Sequence, residues 1–444
     1  KGKKVDRANI SQCMIVKNEE ENIIKALSWG KKIMAEQIVI DTGSTDRTIE
    51  LAKQMGAIVY EFPWDDDFAA AKNYAIEKAR YDWIAFLDAD EYMDSQQGEK
   101  LIEFVQQLHN TKTDMIITAF VNLNDEGNVL SIDSHSRIFR SYLRYEGKIH
   151  ESLTLPDGSM LQAADLTKEL TIFHTGYGNQ ERKKKKGRNE RLLLLELEKN
   201  PDDYKLWGYL GVEYLKREGW KEAEKSFRKA VVLMPEKEKG VYNVTSSIVL
   251  LKLLSTVMKT SDELAVQEVY KQAIQGWPEE ADYDYKMAEY FADSQNWTNS
   301  IKHLERALKL LGTYGNTCKS GIISGNIQKA YEMLAICYYN NGNIADSVRL
   351  TAVLLKENPY LMSTLLVLLR SFLADPQTVS MRQEGAQQIA EYLGNTFYDF
   401  CKMKDKLFVL RAAIAAGWED LVLIIRKLFT CEELVVVDNA LRKE

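Results

Sequence analysis

Residues 83–91 read WIAFLDADE and decide the fold of this chain. Four of the five residues from Trp83 to Leu87 are bulky and apolar, and so short a run predicts a strand buried in a parallel sheet. The run stops at three carboxylates, Asp88, Asp90 and Glu91. Open α/β sheets bind ligands at the carboxyl ends of their strands, where hard oxygen ligands suit Mg²⁺ or Mn²⁺ on a diphosphate. The alternative is a helix N-terminus, which also favours acidic residues.

The preceding residues alternate between predicted strands and helices. Strands are predicted at Ser11–Val16, Gln37–Ile40 and Ala57–Tyr60, and helices opening at Lys17–Glu21 and spanning Arg47–Met55 and Phe68–Arg80. This alternation predicts βαβ units and a mostly parallel sheet. Because the carboxyl ends of parallel strands meet at one edge, the polar residues after three strands should line one crevice. These residues are Asn18 and Glu19, Asp41 and Ser44, and Asp88 and Asp90.

The crevice lacks both common phosphate-binding loops. The sequence contains no GxGxxG and no GxxxxGK[ST], so phosphates must be met by a metal ion and by side chains. Asp41 follows an early strand and suits a uracil or a ribose hydroxyl, because an ionised carboxylate only accepts hydrogen bonds.

Composition narrows the class of protein. A chain of 444 residues predicts two or three domains, and a net charge of -7 argues against a nucleic-acid partner. The five cysteines have no metal-binding spacing, which predicts a reduced, cytoplasmic protein. We find neither a signal peptide nor an apolar run of membrane-spanning length. The chain begins at Lys1 without methionine, which predicts a trimmed or replaced native N-terminus.

Four motifs, in this order, resemble family 2 glycosyltransferases of the GT-A fold. They are MIVKNEE at 14–20, IDTGSTD at 40–46, WDDDFAAAKN at 64–73 and FLDADE at 86–91. The resemblance covers roughly the first 180 residues and is more specific than any one motif. It implies a Rossmann-like α/β domain that transfers a sugar from a nucleotide donor.

The resemblance also implies roles for single residues. Those expected to contact the nucleotide-sugar are Val16, Glu19, Asp41, Ser44, Lys72, Asp88 and Ala89. Asp88 is expected to face the ribose, and Asp90 to bind a divalent ion on the pyrophosphate. His174 is a candidate further metal ligand, because imidazole tolerates Mn²⁺ and similar GT-A enzymes place a histidine there.

The acceptor side is predicted after Asp90. Asp114–Val121 is a predicted strand, Asn124–Gly127 a hairpin turn, and Arg137–Arg140 a half-buried strand. An inverting transfer needs a general base, for which we predict Glu151, with His150 as its rival. A structural histidine hydrogen-bonded in a loop is the alternative for both His150 and His174.

A basic run at Arg182–Arg188 follows this domain. One interpretation is a solvated hinge before a helix at Asn189–Lys199. The other is a clamp on the leaving diphosphate, with Lys186 and Arg188 as its nearest candidates.

After Pro201 the apolar residues recur at the spacing of an α-helix. The key positions of a tetratricopeptide repeat are filled by Trp207, Leu210, Gly211, Tyr214, Ala223, Phe227, Ala230 and Pro235. Looser copies end at Pro278 and Pro359. The predicted domains are a GT-A domain at 1–180, a basic linker and helix at 181–200, repeats at 201–360, and C-terminal helices at 361–444 that form a cap or a homodimer surface.

Three functions compete. The pairing of GT-A domain and repeats is similar to the sublancin-type peptide S-glycosyltransferases of glycocin biosynthesis, with related motifs at Glu151, Tyr177 and Asn189. That resemblance implies transfer of a hexose from a UDP-sugar, usually UDP-glucose, to a cysteine (or serine) of a bacteriocin precursor peptide. A transferase extending a surface glycan and a non-catalytic repeat scaffold are the alternatives. The repeats would bind the peptide acceptor. The alternative is that they only support the catalytic domain or form a dimer contact.

Overall fold

A computed structural model describes residues 8–124, 126–175, 187–238, 240, 246–315, 321–376, 380–381 and 383–441. Contacts divide the chain into two compact units, Lys1–Met234 and Pro235–Glu444. Among the described residues, no helix combines the length and the apolar character that crossing a bilayer requires.

The first unit opens with an α/β domain. Its strands are β1 (Ala8–Val16), β2 (Met34–Asp41), β3 (Ile58–Glu61), β4 (Trp83–Phe86), β5 (Glu91–Tyr92), β6 (Met115–Leu123), β7 (Val129–Arg140), β8 (Arg144–Glu146), β9 (Ser152–Thr154), β10 (Ala163–Asp165) and β11 (Thr171–His174). Its helices are α1 (Ile23–Ser28), α2 (Thr48–Gln54), α3 (Phe68–Lys78) and α4 (Ser95–Gln107).

The main sheet is mixed and mostly parallel. Its order is β3-β2-β1-β4-β7-β6-β11-β5, with β10 beside β6, while β8 and β9 form a separate pair. Strands β3, β2, β1 and β4 are parallel to one another, whereas β7 is antiparallel to both β4 and β6. The predicted α/β class and the β6–β7 hairpin are therefore confirmed, although Asp125 of the hairpin turn lies outside the described residues.

Burial on both faces explains the apolar run of β4. Successive strand residues point to opposite faces, so Trp83 and Phe86 enter different cores. Trp83 packs with residues of α4 such as Leu101, while Phe86 packs with residues of α3 such as Ile76. Both strand side chains are fully buried, and only apolar residues fit at such positions.

The predicted helix start at Lys17–Glu21 is wrong. Helix α1 begins at Ile23 and has no acidic residue in its first turn. Asn18 has a φ of +56°, and its backbone N–H donates to Ser44 Oγ at 2.9 Å. The Glu19 N–H donates to Thr48 Oγ1 at 2.7 Å. These bonds hold the segment as a loop tied to the chain after β2.

In the part of the first unit that the structure describes after β11, the helices are α5 (Arg188–Lys199), α6 (Tyr204–Lys216) and α7 (Trp220–Leu233). Leu192 and Leu193 of α5 and Leu210 of α6 share a core with Ile149, which precedes the predicted base. Gly211 of α6 faces the ring of Phe227 on α7, as the repeat signature predicts.

The second unit is helical throughout its described residues. Its helices are α8 (Ser247–Thr260), α9 (Glu263–Gly276), α10 (Ala281–Asp293), α11 (Trp297–Tyr314), α12 (Ile322–Gly325), α13 (Ile327–Asn340), α14 (Ile344–Glu357), α15 (Met362–Leu373), α16 (Gln383–Thr396), α17 (Met403–Ala416), α18 (Glu419–Lys427) and α19 (Cys431–Leu441). Pro278 follows α9 and Pro359 follows α14, where the looser repeat copies were predicted to end. The tetratricopeptide-like helical class is confirmed.

The contact between Gly211 and Phe227 can be tested by substitution. A Cβ at Gly211 would lie 2.6 Å from the Phe227 ring, which is fully buried and has little room to move. We expect Gly211→Val to lower the free energy of unfolding by about 2 kcal/mol, through overpacking. Urea unfolding followed by circular dichroism measures the change.

The matched control is Gly312→Val in α11, where an added Cβ meets nothing within 4 Å. This exposed site should change stability by less than about 0.5 kcal/mol. Equal losses from the two variants would contradict a close approach at Gly211.

Candidate active site

The loops after β1 and β2 bond to each other around Asp41. Asp41 ends β2, is buried, and its Oδ2 accepts hydrogen bonds from the backbone N–H groups of Gly43 and Ser44, both at 3.0 Å. The Val16 carbonyl at the end of β1 accepts from the Thr42 N–H at 3.0 Å. Four residues predicted to contact the nucleotide-sugar therefore lie together at the carboxyl ends of β1 and β2: Val16 and Asp41 end the strands, and Glu19 and Ser44 lie in the adjoining loops.

The acidic turn after β4 is held by a cation from β7. Arg137 Nη2 lies 3.1 Å from Asp88 Oδ2 and also contacts Glu91 Oε1. The other Glu91 oxygen, Oε2, accepts from the Asp88 N–H at 3.1 Å. The Glu91 side chain is 2% exposed and that of Asp88 is 38% exposed. Glu91 therefore anchors the turn from inside, while Asp88 remains accessible at its surface.

Burial and charge oppose each other in this turn. Burial raises the pKa of Glu91 to about 7, although the positive charge of Arg137 acts in the opposite direction. Burial also acts to lower the pKa of Arg137, but Glu91 and Asp88 outweigh it and hold that pKa above its ordinary value. The guanidinium thus stays charged while removed from water, and it needs both carboxylates.

Asp90, which directly precedes β5, lies beside His174 at the end of β11. Asp90 Oδ2 is 3.3 Å from His174 Nε2, and the Asp90 carbonyl accepts from the Thr175 N–H at 2.9 Å. His174 Nδ1 is 2.8 Å from Asn122 Oδ1, its neighbour on β6. Because an amide oxygen only accepts, we assign a proton to Nδ1, so in the neutral ring Nε2, which faces Asp90, is the nitrogen that can bind a metal ion.

This pair fits a divalent ion. A histidine whose other nitrogen is fixed by a hydrogen bond is the usual form of a metal-ligating imidazole, and Asp90 adds an oxygen ligand. Within the described ranges, no group of three or more His, Cys, Asp and Glu side chains is arranged to hold a metal. Mg²⁺ commonly takes one or two protein carboxylates together with substrate phosphates, so a small protein ligand set suits it.

Lys72 and Glu151 form a mostly buried ion pair. Lys72 Nζ contacts Glu151 Oε1, and it lies 4.9 Å from the centre of the Tyr145 ring. Burial acts to lower the pKa of Lys72, but the negative charge of Asp88 and that of Glu151 raise it above its ordinary value. A residue predicted to contact the donor thus touches the predicted general base.

His150 and Arg188 pack against aromatic rings. The His150 ring stacks on Tyr209 with centroids 3.8 Å apart, and its φ is +53°. The Arg188 guanidinium carbon lies 5.0 Å from the Phe68 ring centre. Burial lowers the pKa of both side chains.

Ala89 is buried against the core beside β1. Lys186 and Tyr177 lie outside the described residues.

Sequence reasoning missed Arg137 and Asn122 as site residues. Arg137 was predicted only as a polar position in a half-buried strand, and Asn122 received no role. The alternation of polar and apolar residues in β6 and β7 marks Asn122 and Arg137 as polar positions. It does not show which residues they face, because that depends on the pairing of β7 with β4 and of β6 with β11.

Residues 11–167 match the family model described as Glycosyl transferase family 2. This part of the chain is therefore a family 2 glycosyltransferase domain. Over 340 residues the chain is 27% identical to the SPbeta prophage-derived glycosyltransferase SunS of Bacillus subtilis, covering 73% of this chain and 78% of that protein. It is also 35% identical over 219 residues to a TPR repeat-containing protein of Synechococcus elongatus, covering 46% of this chain and about half of that relative (52%).

Solved structures give weaker likenesses. The S. aureus TarS 1-349 structure in complex with UDP-GlcNAc has a TM-score of 0.34 and 13% identity, and the match covers 69% of this chain and 92% of that one. A MamA structure has a TM-score of 0.30 and 18% identity, covering 39% and 90%. The fold assignment rests on this chain's own sheet order and helix pairs.

Removing the cation from the acidic turn should make stability depend on pH. Arg137→Met leaves the Glu91 carboxylate buried without its partner, and we expect a loss of about 3 kcal/mol at pH 8. The folded-state pKa of Glu91 lies above its ordinary value of 4.5 even with Arg137 present. Protonation then favours the folded state, so the loss should be smaller at pH 5 and grow as the pH rises.

Urea unfolding at the two pH values measures this difference. In a Glu91→Gln background the buried carboxylate is gone and only the partly exposed Asp88 still contacts Arg137, so the effect of Arg137→Met should differ much less between pH 5 and pH 8. A loss in the single variant that is the same at both pH values would contradict the role assigned to Arg137.

Proposed function

We propose that this protein is a metal-dependent, inverting glycosyltransferase that moves a hexose from a UDP-sugar, UDP-glucose, to a cysteine (or serine) of a bacteriocin precursor peptide. The family 2 domain and the similarity to SunS support sugar transfer. The observation that carries the proposal is the pairing of Asp90 with His174 next to Asp88, where β4 ends.

The donor would lie along the edge where β1, β2 and β4 end. Val16, Glu19 and Asp41 would hold the nucleoside, and Ser44 would contact the same donor, because all four lie where β1 and β2 end. Asp88 would accept from a ribose hydroxyl, since its side chain is partly exposed beside Arg137. Ala89 lies between the two aspartates of the turn and its side chain packs into the core beside β1, so it would meet the donor through its backbone.

Asp90 and His174 would hold Mg²⁺ or Mn²⁺. When bound, such an ion neutralises charge that develops on the leaving diphosphate. Arg188 lies in the first turn of α5 and offers a further positive charge for that leaving group.

Glu151 would act as the general base. In the transfer, the acceptor sulfur bonds to the anomeric carbon, the bond from that carbon to the diphosphate oxygen breaks, and UDP leaves while Glu151 takes the thiol proton. A thiol needs only a mild base, because its free pKa is about 8.5. Lys72 positions the carboxylate by direct contact. His150 suits a structural role better, because its ring is stacked on Tyr209 and burial lowers its pKa.

Four further predictions belong with this proposal. They are peptide capture by the repeats, a homodimer through residues 361–444, a cytoplasmic location and the domain limits at 180, 200 and 360.

The metal role is tested with Asp90→Asn. We expect sugar transfer to fall by at least about 100-fold with folding retained, because the amide keeps the shape but loses the charge that binds the ion. The assay incubates the protein with UDP- and GDP-hexoses, Mn²⁺ and a cysteine-containing peptide, and reads the peptide mass. Asp293→Asn on the exposed surface of α10 is the control. Unchanged turnover in Asp90→Asn would contradict the proposal.

The choice of base is tested by comparing Glu151→Gln with His150→Gln. Loss of a general base costs about 100-fold to 10,000-fold in kcat, so Glu151→Gln should fall in that range. His150→Gln should reduce kcat by less than about 10-fold, since it removes a packing contact and not the base. The reverse order of effects would assign the base to His150.

A further inference from the structure

The loop that carries Glu151 joins two short paired strands. Strand β8 ends at Glu146 and β9 begins at Ser152, and these two residues pair with each other, so residues 147–151 form the whole hairpin loop. The loop folds back closely on itself. A Cβ added at Gly147, whose φ is +93°, would lie 3.8 Å from the Glu151 Cα. A loop this short has no core of its own, so contacts with neighbouring elements fix the position of Glu151.

Helix α3 holds the loop on one side. The Lys148 carbonyl accepts a hydrogen bond from the Phe68 N–H at 3.0 Å, and the Lys148 ammonium lies 3.9 Å from an Asp67 carboxylate oxygen. Glu151 Oε1 contacts Lys72 Nζ in the same helix. These contacts anchor the second and the last residue of the loop.

Helices α5 and α6 hold the two residues between them. Ile149 is 5% exposed and packs in a core with Leu193 of α5 and Leu210 of α6. The His150 ring stacks on Tyr209 of α6, with centroids 3.8 Å apart and planes 7° from parallel. Both helices lie after residue 167, where the match to the family 2 model ends, so residues beyond that match take part in holding the loop.

The backbone of His150 depends on this second anchor. Its φ of +53° is a left-handed conformation, which a residue with a Cβ adopts only at a cost in free energy. Such a conformation persists where surrounding contacts hold it, and the stack on Tyr209 and the burial of Ile149 are contacts of this kind. Because Glu151 is the next residue, a change of φ at His150 would move the Glu151 carboxylate away from Lys72.

We propose that Tyr209 is a positioning residue for Glu151 and acts through its stack on His150. This inference rests on the proposed function, in which Glu151 is the general base, and it gives helix α6 a direct part in catalysis. Loss of the Tyr209 ring should slow proton removal from the acceptor and leave donor binding intact, because it displaces the base and not the nucleotide.

Steady-state kinetics separate positioning from folding. We expect Tyr209→Leu to lower kcat for sugar transfer by about 5-fold and to change KM for the UDP-sugar by less than about 2-fold. Tyr209→Phe keeps the ring and should stay within about 2-fold of the wild-type kcat. The matched control is Tyr214→Leu, which makes the same change on the same helix, at a ring that packs against the same core but lies beside Arg217. This control should also stay within about 2-fold of wild type.

A double variant shows whether the effect passes through Glu151. In a Glu151→Gln background no base remains to be positioned, so Tyr209→Leu should lower the residual kcat by less than about 2-fold. The same proportional loss in both backgrounds would mean that Tyr209 acts on the fold as a whole, and it would overturn the proposal. Wild-type kcat in Tyr209→Leu, or equal losses in Tyr209→Leu and Tyr209→Phe, would overturn it too.

Nuclear magnetic resonance tests the stack without donor, acceptor or turnover. In protein labelled at the histidine ring carbons, His150→Gln identifies the His150 signal among the five histidines. Burial lowers the pKa of His150, while the charges of Glu213 and Glu151 act to raise it and that of Lys216 to lower it. Tyr209→Leu uncovers one face of the ring, so the His150 pKa should rise toward its ordinary value, whereas Tyr209→Phe should leave it unchanged.

An unchanged His150 pKa in Tyr209→Leu would overturn the proposal, because the stack would then not cover the ring. A raised pKa in Tyr209→Leu, in a protein whose wild type transfers no sugar, would refute the proposed function and with it the role of Glu151, while the contact itself would stand. The two failures are therefore distinguishable.

Discussion

The active-site edge depends on one guanidinium placed between two carboxylates. Arg137 of β7 contacts both Asp88 and Glu91, and Glu91 is almost completely buried. A charged group removed from water must be paired, so the strand that supplies Arg137 and the turn that supplies the carboxylates can only be stable together. The same acidic turn places Asp90 beside His174. A hydrogen bond with Asn122 on β6 fixes the orientation of the His174 ring.

A second charged pair lies beside this arrangement and includes the proposed base. Lys72 of α3 contacts Glu151, and the negative charge of Asp88 helps to hold its pKa above the ordinary value. Charges of alternating sign therefore run from Glu151 through Lys72 and Asp88 to Arg137 and Glu91. Arg137 contacts two carboxylates, and Lys72 contacts one and is influenced by the charge of a second.

The sequence predicted the fold well where local pattern and burial agree. The apolar run of β4 implied a strand covered on both faces, and α3 and α4 supply the two cores. The prediction failed at Lys17–Glu21, because acidic residues favour a helix start only when the backbone is available to form one. Here Asn18 and Glu19 donate their backbone N–H groups to the side chains of Ser44 and Thr48, which follow β2, and the helix begins at Ile23.

By itself, the sequence determined most of the strands and helices, their order and the acidic turn. These features follow from the spacing of apolar residues along the chain and from motifs only a few residues long. Only the tertiary structure decided which carboxylate is buried, which cation pairs with it, and that Lys72 contacts Glu151. Those contacts join residues 49 and 79 positions apart in the chain. Pairing at such separation is set by strand register and by the cost of burying an unpaired charge, and neither can be read from a local pattern.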